Sequence, residues 1–158
     1  MTQTSPTPAD EGADDVLSKD LIVISGSART KEDAIREAGA LLVQAEAVSP
    51  AYVDAMLERE RSYTTYMGSL LAIPHGTNES KASIKRSAIS LVRYDEPLEW
   101  GDGNPVRVVV GIAGAEGGHL EVLSKVALVF SDDDLARGIL QAGSAGEIYD
   151  ILQSVNDD

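Results

Sequence analysis

The stretch Val106-Arg107-Val108-Val109-Val110-Gly111-Ile112 reads as a buried β-strand, because β-branched side chains fill it and its one charge lies near the start. Beyond the glycine-rich segment Gly114-Ala115-Glu116-Gly117-Gly118 the spacing changes. Leu120, Leu123, Val126, Ala127 and Phe130 recur at the intervals of a helix that opens at His119. A buried strand handing over to an apolar helix is a step of a layered α/β domain, and this strand is predicted to be central.

The same alternation continues outward in both directions. Ala88 to Tyr94 and Leu70 to Ile73 read as further strands, the second stopped by Pro74, and Leu21 to Ile24 as a short one near the start. Thr30 followed by Asp33 predicts a capping box ahead of Ala34, Ile35, Ala38, Leu41 and Leu42. Ser49-Pro50 predicts a second capped helix, with Val53, Met56 and Leu57 as its buried stripe and the charged run Glu58 to Arg61 in solvent. Two helices close the chain, one over Asp133 to Gln141 and one capped by Ser144 with Glu147. The predicted fold is a layered α/β sandwich: a mixed, mainly parallel sheet flanked by helices on both faces.

With 158 residues, the chain is long enough for one domain with a real core. Residues 1–18 carry few large apolar groups and are predicted to be a disordered acidic tail, leaving 19–158 as a single domain. The net charge of -13 repels phosphate backbones and argues against a nucleic-acid partner. No apolar run nears the roughly 20 residues that span a bilayer, and no secretory signal opens the chain, so a cytoplasmic location is expected.

The chain has no cysteine and 2 histidines, which concentrates nucleophilic and proton-transfer chemistry on His75 and His119. His75 follows a strand and precedes Gly76, where the missing side chain lets a phosphate or another backbone approach. His119 opens a helix, where free N–H groups favour an anion and a neutral ring. Either histidine taken singly is also compatible with a role in packing alone. A metal site is not expected: neither H-x-x-x-H nor H-E-x-x-H occurs, and a closed zinc site needs about four ligands. No G-x-S-x-G elbow, P-loop or dinucleotide fingerprint is present, and no cofactor is expected.

Three segments carry a resemblance: Ala51-Tyr52-Val53-Asp54-Ala55-Met56-Leu57-Glu58-Arg59-Glu60, then Thr65-Tyr66-Met67-Gly68, then Leu71-Ala72-Ile73-Pro74-His75-Gly76-Thr77. With Val110-Gly111-Ile112-Ala113 and His119-Leu120-Glu121-Val122-Leu123, they resemble the mannitol-type enzyme IIA component, a type-2 EIIA domain, of the bacterial phosphoenolpyruvate-dependent sugar phosphotransferase system. The likeness spans roughly residues 20 to 155. It implies a phosphocarrier that takes a phosphoryl group from the phosphohistidine of the carrier HPr and passes it to a cysteine of enzyme IIB, serving a membrane IIC permease indirectly. It also implies site roles: His75 as the phosphorylated nucleophile, His119 as the second active-site histidine, and Arg59 as the cation that stabilises the phosphoryl group. An acidic docking surface around an apolar patch near His75 is the expected landing site for HPr. Alternatives are a fructose-type EIIA, a nitrogen-type or transcription-linked EIIA whose phosphorylation state controls a partner, and a non-catalytic acidic adaptor.

Overall fold

The computed structural model describes residues 18–114 and 119–156. The acidic tail expected at 1–18 falls outside them except for Ser18. The described residues form five strands: β1 (Ile22–Val23), β2 (Tyr66–Gly68), β3 (Leu71–Ala72), β4 (Ala88–Glu99) and β5 (Pro105–Ala113). Among the same described residues are the α-helices α1 (Lys31–Gln44), α2 (Ala51–Ser62), α3 (His119–Ser131), α4 (Asp133–Gln141) and α5 (Ala145–Asn156).

The strands form one mixed sheet in the order β1-β4-β5-β3-β2, with the valine-rich β5 in the middle as its composition predicts. β1 runs parallel to β4 and β3 parallel to β5; β2–β3 and β4–β5 are antiparallel. The longest ladder is the antiparallel one between β4 and β5, because Gly101, Asp102 and Gly103 take positive φ and turn the chain straight back. Glu99 holds that turn by accepting the N–H groups of Gly101 and Gly103.

Helices cover both faces. α1 and α2 close over Ala72, Ala88, Val92, Tyr94, Val109 and Ala113. α3, α4 and α5 close over Leu71, Ile89, Leu91, Val108, Val110 and Ile112. The strand period of two assigns alternate residues to the two layers. Between Arg93 and Leu98, a stretch that contains Pro97 with no N–H to give, the ladder shifts register, and Val106 joins the first layer with Val109.

The predicted caps form in part. Thr30 accepts the Asp33 N–H, but the Asp33 carboxylate turns to Arg36 at 2.9 Å instead of closing a reciprocal box. Ser144 accepts the Glu147 N–H as expected. The second helix differs: Pro50 occupies the cap position without a side-chain bond, and the buried stripe is Tyr52, Met56, Leu57 and Glu60, with Val53 half-buried against Gly39 of α1. The charged run is thus not wholly solvated, since Glu60 is 4% exposed.

Arg93 is buried as well. It lies on the layer opposite Glu60 and spends its guanidinium on carbonyls: Ile24 past β1, and Ile139, Leu140 and Ala142 at the end of α4. The last carbonyls of a helix have no partner within it and carry its negative pole, so a fixed cation there satisfies both.

Candidate functional site

β3 ends at Ala72, yet the chain stays in the sheet a little longer. His75 bridges to Ile112 of β5 in parallel register, and the Pro74 carbonyl accepts the Ile112 N–H at 3.0 Å. His75 therefore stands beside the carboxyl end of the central strand, where parallel α/β layers leave room for a site. It is half-buried, and the 3₁₀ segment Asn78–Ser83 begins after Gly76 and Thr77.

The Nδ1 of His75 lies 2.9 Å from the carbonyl oxygen of Ile73. A carbonyl oxygen can only accept, so this bond places the ring proton on Nδ1 and leaves the lone pair of a neutral ring on Nε2. This acceptor is a backbone atom, which is why no side chain in the sequence announces it.

A second support comes from α2. The Tyr52 hydroxyl donates to the Ile112 carbonyl at 2.8 Å and accepts the Gly76 N–H at 2.9 Å. One buried phenol thus joins the helix, the central strand and the residue after His75. Burial raises its pKa above the usual phenol range, and the Gly76 N–H offsets only part of that, so the proton needed for Ile112 stays on. Gly76 must be glycine here: a Cβ would stand 2.5 Å from a ring carbon of Tyr52 and 2.5 Å from the Ser80 hydroxyl. The sequence offered one signal for Tyr52. It falls on the Met56–Glu60 face of the helix, and a buried Tyr needs a partner for its hydroxyl.

His119 is the first residue of α3, as its spacing predicts, and the chain reaches it from the same end of β5 that holds His75. Its side chain and residues 115–118 lie outside what is described, so this reading is settled for the backbone only. Arg59 lies nearly two full turns beyond Tyr52 on the same face of α2, about 10 Å along the axis. Its guanidinium donates to the Tyr63 carbonyl at 2.9 Å and sits 5.9 Å from the Tyr63 ring centroid. The described contacts thus gather His75, Gly76, Tyr52, Ile73 and Ile112; those of Arg59 tie it to Tyr63 and do not join it to this group. Tyr63 and Met67, shortly after α2 in sequence, are large side chains left exposed. Among the described residues no cluster of His, Asp and Glu could hold a metal ion. No helix among them is long and apolar enough to cross a membrane.

The sequence model of one family, described as "Phosphoenolpyruvate-dependent sugar phosphotransferase system, EIIA 2", matches residues 15–155. The chain belongs to this EIIA family. The mannitol-specific phosphotransferase enzyme IIA component of Halalkalibacterium halodurans is 46% identical over 142 residues, covering 90% of this chain and 97% of the relative. Among solved structures, the complex of enzyme IIA-mannitol with phosphorylated enzyme IIB-mannitol from Escherichia coli aligns with a TM-score of 0.82 at 32% identity, over 87% of this chain and 96% of that one. The nitrogen regulatory protein IIA-Ntr of Neisseria meningitidis aligns with a TM-score of 0.77 at 33% identity, over 87% and 97%. Membership accounts for the mixed sheet with helices on both faces and makes the chain a component of the sugar phosphotransferase system.

Proposed function

We propose that this EIIA chain is the phosphocarrier of a mannitol branch, working in the cytoplasm between HPr and a IIB cysteine, with His75 as the phosphorylated residue. The observation that carries the reading is the His75 Nδ1–Ile73 carbonyl bond of 2.9 Å, which directs the lone pair to Nε2. In the forward step Nε2 attacks the phosphorus of the donor phosphohistidine. A new N–P bond forms, the donor's N–P bond breaks, and the bonding pair returns to the donor ring. Positive charge grows on the His75 ring as the bond forms, so the Nδ1–H···O=C bond strengthens in the transition state and is worth more there than in the ground state. In the onward step the IIB thiolate displaces the phosphoryl group and the pair returns to Nε2.

His119 is assigned the second active-site position, as a neutral donor at the start of α3. Arg59 is assigned the equatorial oxygens of the phosphoryl group. Leaving Tyr63 forgoes one hydrogen bond worth about 0.5–1.5 kcal/mol, and a forked contact to a phosphoryl dianion outweighs it.

Incubation with phosphoenolpyruvate, enzyme I and HPr is expected to add one acid-labile phosphoryl group, with nitrogen-15 and phosphorus-31 spectra placing it on Nε2 of His75. His75→Ala should take up none, and undiminished labelling of that variant would overturn the assignment. The 33% identity to a nitrogen regulatory relative supports a second reading, in which a partner senses the phosphorylation state. Transfer from the phosphorylated chain to a IIB cysteine separates the two. The identity of 46% to a mannitol-specific relative favours transport.

A further inference from the structure

Glu60 is the most enclosed carboxylate of α2, 4% exposed, and nothing in the chemistry of His75 so far uses it. Its oxygens accept from three donor groups and pair with one cation, supplied by three residues distant from one another in sequence. The Thr65 N–H reaches both oxygens at 3.1 Å and the Thr65 hydroxyl donates to Oε1. The Trp100 indole N–H donates to Oε2 at 3.0 Å, and the Lys31 ammonium lies 3.4 Å from the same oxygen. The Thr65 carbonyl in turn accepts the Ile73 N–H at 3.0 Å, and Ile73 is the residue whose carbonyl holds Nδ1 of His75. An unbroken path of hydrogen bonds therefore runs Glu60–Thr65–Ile73–His75.

We propose that Glu60 is a positioning residue for His75, fixing the Ile73 carbonyl through Thr65 and thereby the tautomer and aim of the ring. The proposal rests on His75 being the phosphoryl acceptor.

The local structure explains why such an anchor is required. β2 is three residues long, lies at the sheet edge, and its register with β3 shifts between Tyr66 and Gly68. Gly68, Ser69 and Leu70 all have positive φ, at 86°, 55° and 68°. For a leucine that conformation is strained. A strand this short and irregular cannot hold its own start in place. Thr65 stands just before it, and the bonds to Glu60 fix its backbone N–H and its side chain together. Ile73 is then gripped from one side by Thr65 and from the other by the Pro74–Ile112 bond, so its carbonyl has one direction left. Lys31 and Trp100 keep the carboxylate from swinging away: the ammonium also stands 5.8 Å from the Trp100 ring centroid, closing the far side.

The test compares Glu60→Ala and Glu60→Gln with Arg93→Met, which destabilises the opposite layer without touching the path. In wild type, long-range proton–nitrogen spectra of the unphosphorylated full chain should show the His75 proton on Nδ1. Glu60→Ala should redistribute that proton between the two nitrogens and slow phosphoryl uptake from phospho-HPr about tenfold. Glu60→Gln still offers Thr65 one acceptor and should fall between wild type and alanine in both readouts. Arg93→Met should keep the wild-type nitrogen signature. Wild-type His75 nitrogens in both Glu60 variants, or an equal change in Arg93→Met, would overturn the proposal. Should Glu60→Ala not fold, Glu60→Gln against Arg93→Met decides it. The spectra need no phosphorylation, so a wild-type chain that takes up no phosphoryl group would remove the functional reading and leave the positioning result standing.

Discussion

The Tyr52 hydroxyl accepts the N–H of Gly76 at 2.9 Å, so the residue after the candidate nucleophile is fastened to a helix. The same oxygen donates to the Ile112 carbonyl. A loop that would otherwise set the His75 backbone loosely is pinned between a helix and the central strand, and that is what pre-organisation of a nucleophile requires.

Replacing Tyr52 by Phe keeps the ring and its packing and removes this one oxygen. Two backbone groups then lose their partner in a largely dry place, at a cost of about 1–3 kcal/mol. The midpoint of thermal unfolding should fall by roughly 3–8 °C for a chain of this size. Phosphoryl uptake should slow about three- to tenfold even well below that midpoint, because Gly76 is free to shift. Calorimetry and single-turnover transfer from phospho-HPr measure the two effects; an unchanged rate with lowered stability would confine Tyr52 to the fold.

Much of this architecture was legible because it rests on periodicity. The valines of β5, the helix spacing from His119 and the Ser144–Glu147 cap each declare themselves within a few residues. What stayed hidden depends on contacts between segments distant in sequence. β2 is three residues with a register shift, too short for any period to emerge. Glu60 sits in a run of charges that reads as a wet helix face, and its burial depends on donors from Lys31, Thr65 and Trp100. The acceptor for the His75 ring is a main-chain carbonyl, and every residue has one.

Arg93→Met tests whether a buried cation can be structural here without serving the site. Methionine fills the stem of the side chain but leaves the carbonyls of Ile139, Leu140 and Ala142 without their donor. The end of α4 then lacks both hydrogen bonds and a counter-charge, a loss of roughly 3 kcal/mol. Urea unfolding should show that drop, and amides of α4 should exchange faster than those of α1. Phosphoryl uptake at a temperature where the variant is folded should match wild type, since Arg93 faces the layer away from Glu60 and Trp100.

Glu37 sets an acid limit on the first layer. Burial acts to raise its pKa, but the Tyr94 hydroxyl at 2.7 Å and the N–H groups of Ser27 and Ala28 outweigh it, and the carboxyl ends below its ordinary 4.5. A pKa lowered by folding means stability that is fully present above the unfolded value and lost as pH falls through the folded one. Glu37→Gln should therefore be less stable than wild type at neutral pH. The gap should begin to close below about pH 4.5 and vanish once the native carboxyl is protonated. Tyr94 gives the opposite sign: burial, then the bond to Glu37 and its charge, push the phenol far above its ordinary 10.0, so its share of stability is lost as pH rises past that value. Urea unfolding of wild type and Glu37→Gln across an acid series measures the first effect, and a gap that stays constant down to about pH 3 would show that Glu37 acts through shape and not through charge.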